Sequence, residues 1–497
     1  MKRITLCMFA ILILVVFGSG CGHGLWFPET EFSRSSDEWG SRVAYDIDED
    51  GCADYFNYLD PDGRRKIIAF DYNADGEPDS FVNLDEIEPS RCRHLVIILD
   101  GFPYDLVKDY YDKGNLRFFH PPSRVVAPFP SLTDLCIGEA LDHISSPAYE
   151  SKYFDRRRQK MASANWDYLM LKNEPWVSEM DYRGPILLDT VSYISPWQVM
   201  KTHVSQAHSM FMQRDRKELI TYYVASAGMG TTNGDEGRIR CLALIERMVE
   251  QVICETRGMV KITIFADHGH TSKPFRSPEL DPYLEQRGWN VTSRLKNDSD
   301  VIHIKFGFLT YTAMLTRNAP KLTADLVAND KVELAAYMLP GNAVCVKSAA
   351  GEAIIRKKNG RYSYEQSTGD PLMLGKIIKQ LRANGKIDAE GFIDDKALFD
   401  ATVMHYYPDP LRRLWRAFYG IVENVPDVLA CLKDDYACGA YGFGVFLKKA
   451  STHGGLNYVN SVTFIMSTAG PLPAAMRTDE IPVNLSKLFN RPFPYRR

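Results

Sequence analysis

The stretch His94–Gly101, HLVIILDG, constrains this chain more than any other. Its apolar residues, Leu95 to Leu99, run without a polar interruption and end on Asp100-Gly101. An unbroken Ile/Val-rich run of this kind reads as a strand covered on both faces, as in parallel sheets. Asp100 then falls at the strand's carboxyl end, where open α/β sheets bind ligands. Taken alone, an Asp-Gly pair also serves as a simple turn.

The same grammar recurs downstream. Glu218–Ser226 (ELITYYVAS) reads as a second buried strand, followed by a Gly-rich loop, Ala227-Gly228-Met229-Gly230-Thr231. From Glu236 to Ile253, Ile239, Leu242, Ile245, Met248, Val249 and Val252 fall at helical spacing and predict an amphipathic helix. Met259–Ala266 is a third strand, ending on Asp267-His268-Gly269-His270. A carboxylate beside an imidazole at a strand end is a pair of metal-ligand types. Tyr104–Tyr111 predicts a short helix, and Asp134–Leu141 another. Thr133 therefore stands near a helix N-terminus, either as an ordinary N-cap or where backbone N–H groups favour an anion. Val301–Leu315 predicts one or two strands, and Ala343–Lys347 with Ala353–Tyr364 a hairpin around Asn359-Gly360. Ala430–Leu447 reads as loop, and His453-Gly454 precedes a last strand, Val462–Met466.

Composition narrows the partners. The 497 residues are 45% hydrophobic with a formal net charge of −4 and no basic block, which argues against a nucleic-acid polymer. Lys2 and Arg3, the apolar core Ile4–Phe17 and the small exit Gly18-Ser19-Gly20 form an export signal, residues 1–20. Cys21 follows at once. This resembles a bacterial lipobox, and the expectation is lipidation at Cys21 and anchoring in the cell envelope, periplasm or outer membrane. The other cysteines allow disulfides in such a compartment, with Cys431–Cys438 the most plausible local bridge.

Residues 21–90 form an acidic segment. Asp46, Asp48, Asp50, Gly51 and Asp54 fit D-x-D-x-D-G-x-x-D, and Asp71, Asn73, Asp75, Gly76 and Asp79 repeat it with one Asn. Alternate carboxylates followed by a glycine turn gather hard oxygens, as Ca²⁺ requires. The expectation is structural calcium in both loops.

The ordered set Asp100-Gly101, Pro130-Ser131-Leu132-Thr133, Asp267-His268-Gly269 and His453-Gly454 resembles the alkaline phosphatase superfamily, in its type I phosphodiesterase and nucleotide pyrophosphatase branch. The resemblance covers residues 91–497. It implies an α/β fold with a largely parallel central sheet flanked by helices, to which the calcium-loop segment is added. It also implies a phosphoric ester hydrolase with Thr133 as nucleophile. Asp100, Thr133, Asp267 and His268 would hold an activating Zn²⁺, and His453 would belong to a second one. In the family an Asp and, four residues on, a His complete that second site; here the positions are Ala227 and Thr231. Asp235, Glu236 or His270 are the nearby substitutes. A sulfatase is disfavoured, because no C/S-x-P-x-R motif occupies the Thr133 region. Two functions follow. One is a metal-dependent hydrolase acting on a phosphate-ester small molecule or a phospholipid head group. The other is an inactive binding or scaffolding lipoprotein of the same fold.

Overall fold

The computed structural model describes residues 24–142, 144–162, 175–184, 191–305, 307–439 and 451–495. The export signal and Cys21 lie outside the described residues, as does most of Gly439–Ala450. Among the described residues no helix is long and apolar enough to cross a membrane.

The protein is a mixed α/β molecule built on three large sheets. At its centre Arg93–Leu99 lies between Glu218–Tyr223 and Val260–Ala266, parallel to both. Val462–Ser467 then pairs antiparallel with Val260–Ala266, and Ser123–Val126 antiparallel with Val462–Ser467. Tyr182–Arg183 and Ala475–Arg477 form the two edges, each parallel to its neighbour. The sheet is thus largely parallel, and its central strands are buried along almost their whole length. That burial is what their continuous apolar runs demand.

Register places the site. Leu99 pairs with Ala266 on one side and with Tyr223 on the other. Asp100 and Asp267 therefore emerge side by side, and the chain leaving Tyr223 starts beside them. Helices Pro196–Gln213 and Ala225–Glu255 pack on one face around Met200, Val204, Leu242, Ile245 and Val249.

The segment following Tyr223 departs from expectation. Ala227–Thr231 is not a loop: a helix runs from Ala225 to Glu255, interrupted at Gly234 (φ 63°, ψ −145°). Close packing explains the glycines. A Cβ on Gly228 would lie 1.9 Å from the Ser192 carbonyl oxygen, so only glycine lets the helix approach there. The break at Gly234 uses the positive φ that glycine adopts without cost. The helix predicted from Glu236 is the part beyond that break.

A second sheet, mostly antiparallel, has eight strands between Asn290 and Leu432. Asp300–Ile304 and Tyr311–Thr316 divide the Val301–Leu315 stretch between them. Ala343–Ser348, Gly351–Lys358 and Arg361–Gly369 make two consecutive hairpins, the latter through Asn359-Gly360 with both φ positive. Val428–Leu432 is a strand in this sheet and not loop, because its side chains fill core on both faces. Cys431 and Cys438 enter different hydrophobic clusters and both are free thiols, so the expected local bridge is not formed. The sheet's core also takes in Phe129, Leu132 and Leu135, which flank Thr133.

The N-terminal segment is a five-stranded antiparallel meander, Ser33–Asp37 to Ser80–Asn83. Its Phe27, Tyr45, Tyr55 and Ile68 join the same cluster as the central sheet. The Trp26 backbone N–H donates to Gln251 (2.9 Å) and the Asn57 amide to Glu250 (3.2 Å), while Arg247 donates to the Leu25 carbonyl (2.9 Å).

Candidate metal centre

Asp100, Thr133, Asp267, His268 and His453 converge at the carboxyl ends of the central strands. Thr133 is the first residue of helix Thr133–Ala140, with Leu132 at the N-cap position. Its hydroxyl is not spent on capping: Thr133 Oγ1 lies 3.4 Å from His268 Nε2. The same nitrogen lies 3.4 Å from Asp267 Oδ2 and 3.7 Å from Asp100 Oδ1. Zinc bonds of about 2.0–2.2 Å set at tetrahedral angles put ligand atoms roughly 3.3–3.6 Å apart. Asp100, Asp267 and His268 form a group able to hold a metal ion.

The hydrogen bonds fix which atoms face inward. His268 Nδ1 donates to the Gly269 carbonyl at 2.8 Å, so Nε2 presents a lone pair. Asp267 Oδ1 accepts from the Gly101 and His268 amides, at 3.0 and 2.8 Å. Asp267 Oδ2 is buried and has no hydrogen-bond partner. Asp100 Oδ2 accepts from the buried Tyr222 hydroxyl at 2.7 Å. Lone pairs of two carboxylates and an imidazole thus point at one another, which is unfavourable unless a proton or a cation stands between them.

The electrostatics agree. Burial raises the Asp100 carboxyl well above the usual range, and the charge of Asp267 raises it further. Burial raises Asp267 as well. Burial lowers His268 to about 4, which keeps it in the neutral form a metal binds. The residues present fit one Zn²⁺.

They do not fit a second ion in the same way. His453 stacks on His268 with ring centroids 3.9 Å apart, and its Nδ1 donates to the Ser131 carbonyl at 3.0 Å. His270 joins them, 5.2 Å from His453, with Nδ1 donating to the Thr271 carbonyl. Both Nε2 atoms therefore keep a lone pair, but among the described residues the group lacks a carboxylate. Ala227 offers no ligand atom. Asp235 is held by Arg238 (2.8 Å) and Ser272 (2.6 Å).

Three supporting residues went unforeseen. Tyr222 and Ser226 bracket Asp100, Ser226 Oγ accepting from its amide at 2.8 Å. Arg413, buried, donates to Ser131 Oγ (3.0 Å) and to the Pro128 and Leu456 carbonyls (3.3 and 2.8 Å). It holds the loop that delivers Thr133. An arginine on a short, strongly amphipathic helix gives no such sign in the sequence.

The acidic loops fold alike. Asp46 Oδ2 accepts from the Gly51 amide (2.9 Å) and Asp71 Oδ2 from Gly76 (2.6 Å). Asp54 Oδ2 accepts from Ile47 (2.6 Å) and Asp79 Oδ2 from Tyr72 (2.8 Å). Glu49 and Ala74, at equivalent positions, both adopt positive φ (62° and 59°). Asp46, Asp48 and Asp50 form a second group able to hold a metal ion. Asn73 takes the place of Asp48 in the other loop, and Asp75 that of Asp50.

No protein-family model and no curated protein matches the chain. Solved structures similar to it include murine ectonucleotide pyrophosphatase/phosphodiesterase 5, with a TM-score of 0.42 and 12% identity over 80% of this chain and 95% of that one. The human protein gives a TM-score of 0.43 at the same identity and coverage. So does an inactive form of the murine protein in complex with AMP. The structural neighbours of this chain include ectonucleotide pyrophosphatase/phosphodiesterases.

Proposed function

We propose that this protein is a metal-dependent phosphoric ester hydrolase of the phosphodiesterase type, with Thr133 as nucleophile. One observation carries the reading: Thr133 Oγ1, Asp267 Oδ2 and Asp100 Oδ1 all stand within 3.7 Å of the His268 Nε2 lone pair, with Asp267 Oδ2 otherwise unpaired. Asp100, Asp267, His268 and Thr133 would hold Zn²⁺, which when bound supplies a Lewis acid that lowers the Thr133 pKa and polarises the phosphoryl oxygen. The chain does the rest. Arg413 and Ser131 fix the Thr133 loop. Amides at the start of the Thr133–Ala140 helix would donate to the phosphoryl oxygens of a bound ester. Thr133 gives its proton to water and Oγ1 bonds to phosphorus as the ester P–O bond breaks and the leaving alkoxide takes a proton from water; water then bonds to phosphorus, the Oγ1–P bond breaks, and Thr133 regains its proton.

The substrate is a phosphate-ester small molecule or a phospholipid head group. The acidic loops would bind structural Ca²⁺, and Cys21 would carry a lipid anchoring the protein in the bacterial envelope. Zinc-loaded protein should hydrolyse bis(p-nitrophenyl) phosphate, and Thr133→Ala should lower kcat by roughly 10³ or more. Equal turnover by that variant would sink the reading. The second reading, an inactive binding or scaffolding lipoprotein, is favoured by Ala227 and Thr231, which leave the other metal position without its ligands.

A further inference from the structure

Arg238 stands against Gly230, which lies between Ala227 and Thr231 on the same helix. Its side chain is fully buried. Nε donates to the Gly101 carbonyl at 3.0 Å, and Nη1 to Asp235 (2.8 Å) and Ser272 (3.4 Å). Nη2 faces Ser451 Oγ at 3.5 Å, and Ser451 in turn donates to the Gly230 carbonyl at 3.1 Å. The partners mark out the site: Gly101 follows Asp100, Ser272 lies two residues after His270, and Ser451 two before His453.

The helix is shaped to receive this guanidinium. Ala227, Gly230 and Thr231, spaced i, i+3 and i+4, share one helix face. A Cβ on Gly230 would lie 2.6 Å from Arg238 Nη2, so the glycine makes the space. The break at Gly234 turns the chain so that Arg238 folds back over that face. Arg238 also lies on the apolar stripe of its own helix, four residues before Leu242 and seven before Ile245. A charge there is costly unless it is paired and hydrogen-bonded.

We infer that the Arg238 guanidinium takes the place of the second divalent cation, so that the centre binds one transition metal and a fixed organic charge. It ties together the loops that carry Asp100, His270 and His453, and it supplies positive charge toward a bound phosphoryl group. A guanidinium repels a metal ion, so His270 and His453 do not recruit one beside it. The inference deepens the proposed hydrolase and rests on the zinc site of that reading.

The test is zinc stoichiometry by equilibrium dialysis in excess calcium, which saturates the acidic loops. The wild type should hold one zinc, Ala227→Asp/Thr231→His still one, and the same pair with Arg238→Met two. Two zincs in the wild type, or in the double variant with Arg238 retained, overturn the inference. A triple variant that folds and stays at one overturns it too. A wild type that binds none refutes the zinc site itself, and this inference with it. The wild-type count needs no variant to fold. In zinc-loaded protein, inorganic phosphate should bind about tenfold more weakly to Arg238→Met, with partial recovery in Arg238→Lys. Unchanged phosphate affinity would remove the charge role.

Discussion

Asp267 Oδ2 is the atom on which the centre turns, because it is buried, unpaired and 3.4 Å from the His268 lone pair. Two opposing effects on stability follow. Without metal, Asp267→Asn relieves repulsion with Asp100 and should raise the melting temperature of the metal-free protein. With metal, the wild type gains stability by linkage, about 4 kcal/mol at a thousand times Kd, and the variant gains almost none. Thermal melts of both proteins with and without zinc check this, and an undiminished zinc shift in Asp267→Asn would contradict it. In the sequence Asp100, Thr133, Asp267, His268 and His453 stand at or near the ends of periodic elements, and the structure brings them together. Arg238, Tyr222 and Arg413 were not legible, since their partners lie far away in sequence: Arg238 bonds Gly101, and Arg413 bonds Ser131. The one available sign was a charge on the apolar stripe of a predicted helix, at Arg238.

The helix Ala225–Glu255 shows why element type can mislead. Two glycines in five residues suggest a loop, yet here they allow contact, Gly228 with the Ser192 carbonyl and Gly230 with Arg238. Gly228→Ala should therefore destabilise the fold by roughly 1–3 kcal/mol through overpacking, despite alanine's better helix propensity. A variant as stable as the parent in urea would show that the helix can shift. The acidic loops make the opposite case, because their spacing was readable and their matching turns follow from it. Calcium at a hundred times its Kd should stabilise the protein by about 2.7 kcal/mol for each loop that binds it. Asp50→Ala with Asp75→Ala should abolish that gain, and a parent without any calcium-dependent shift would count against the loops as sites.

Across the whole molecule, the parallel centre was legible because buried parallel strands are uniformly apolar, whereas the eight-stranded sheet was not. Its strands were partly visible, but Val428–Leu432 inserts between Tyr311–Thr316 and Val332–Leu339, a pairing no local pattern encodes. Global stability carries a pH signature at a site remote from the chemistry. His203 is buried against Tyr182 and Tyr223, and burial lowers it to about 3. From pH 6.5 downward the unfolded chain takes up a proton that the folded chain refuses, so stability falls as pH falls. His203→Gln should lose about 1.6 kcal/mol less than the parent between pH 6.5 and 5, read from urea melts. The proposed covalent step at Thr133 leaves a mass signature. Zinc-loaded protein should be mixed with a chromogenic phosphodiester, quenched in acid within the first turnovers, and digested for peptide mapping. A phosphoester adduct on Thr133 is the predicted result; hydrolysis with Thr133 unmodified at every quench time, or no hydrolysis at all, would contradict it.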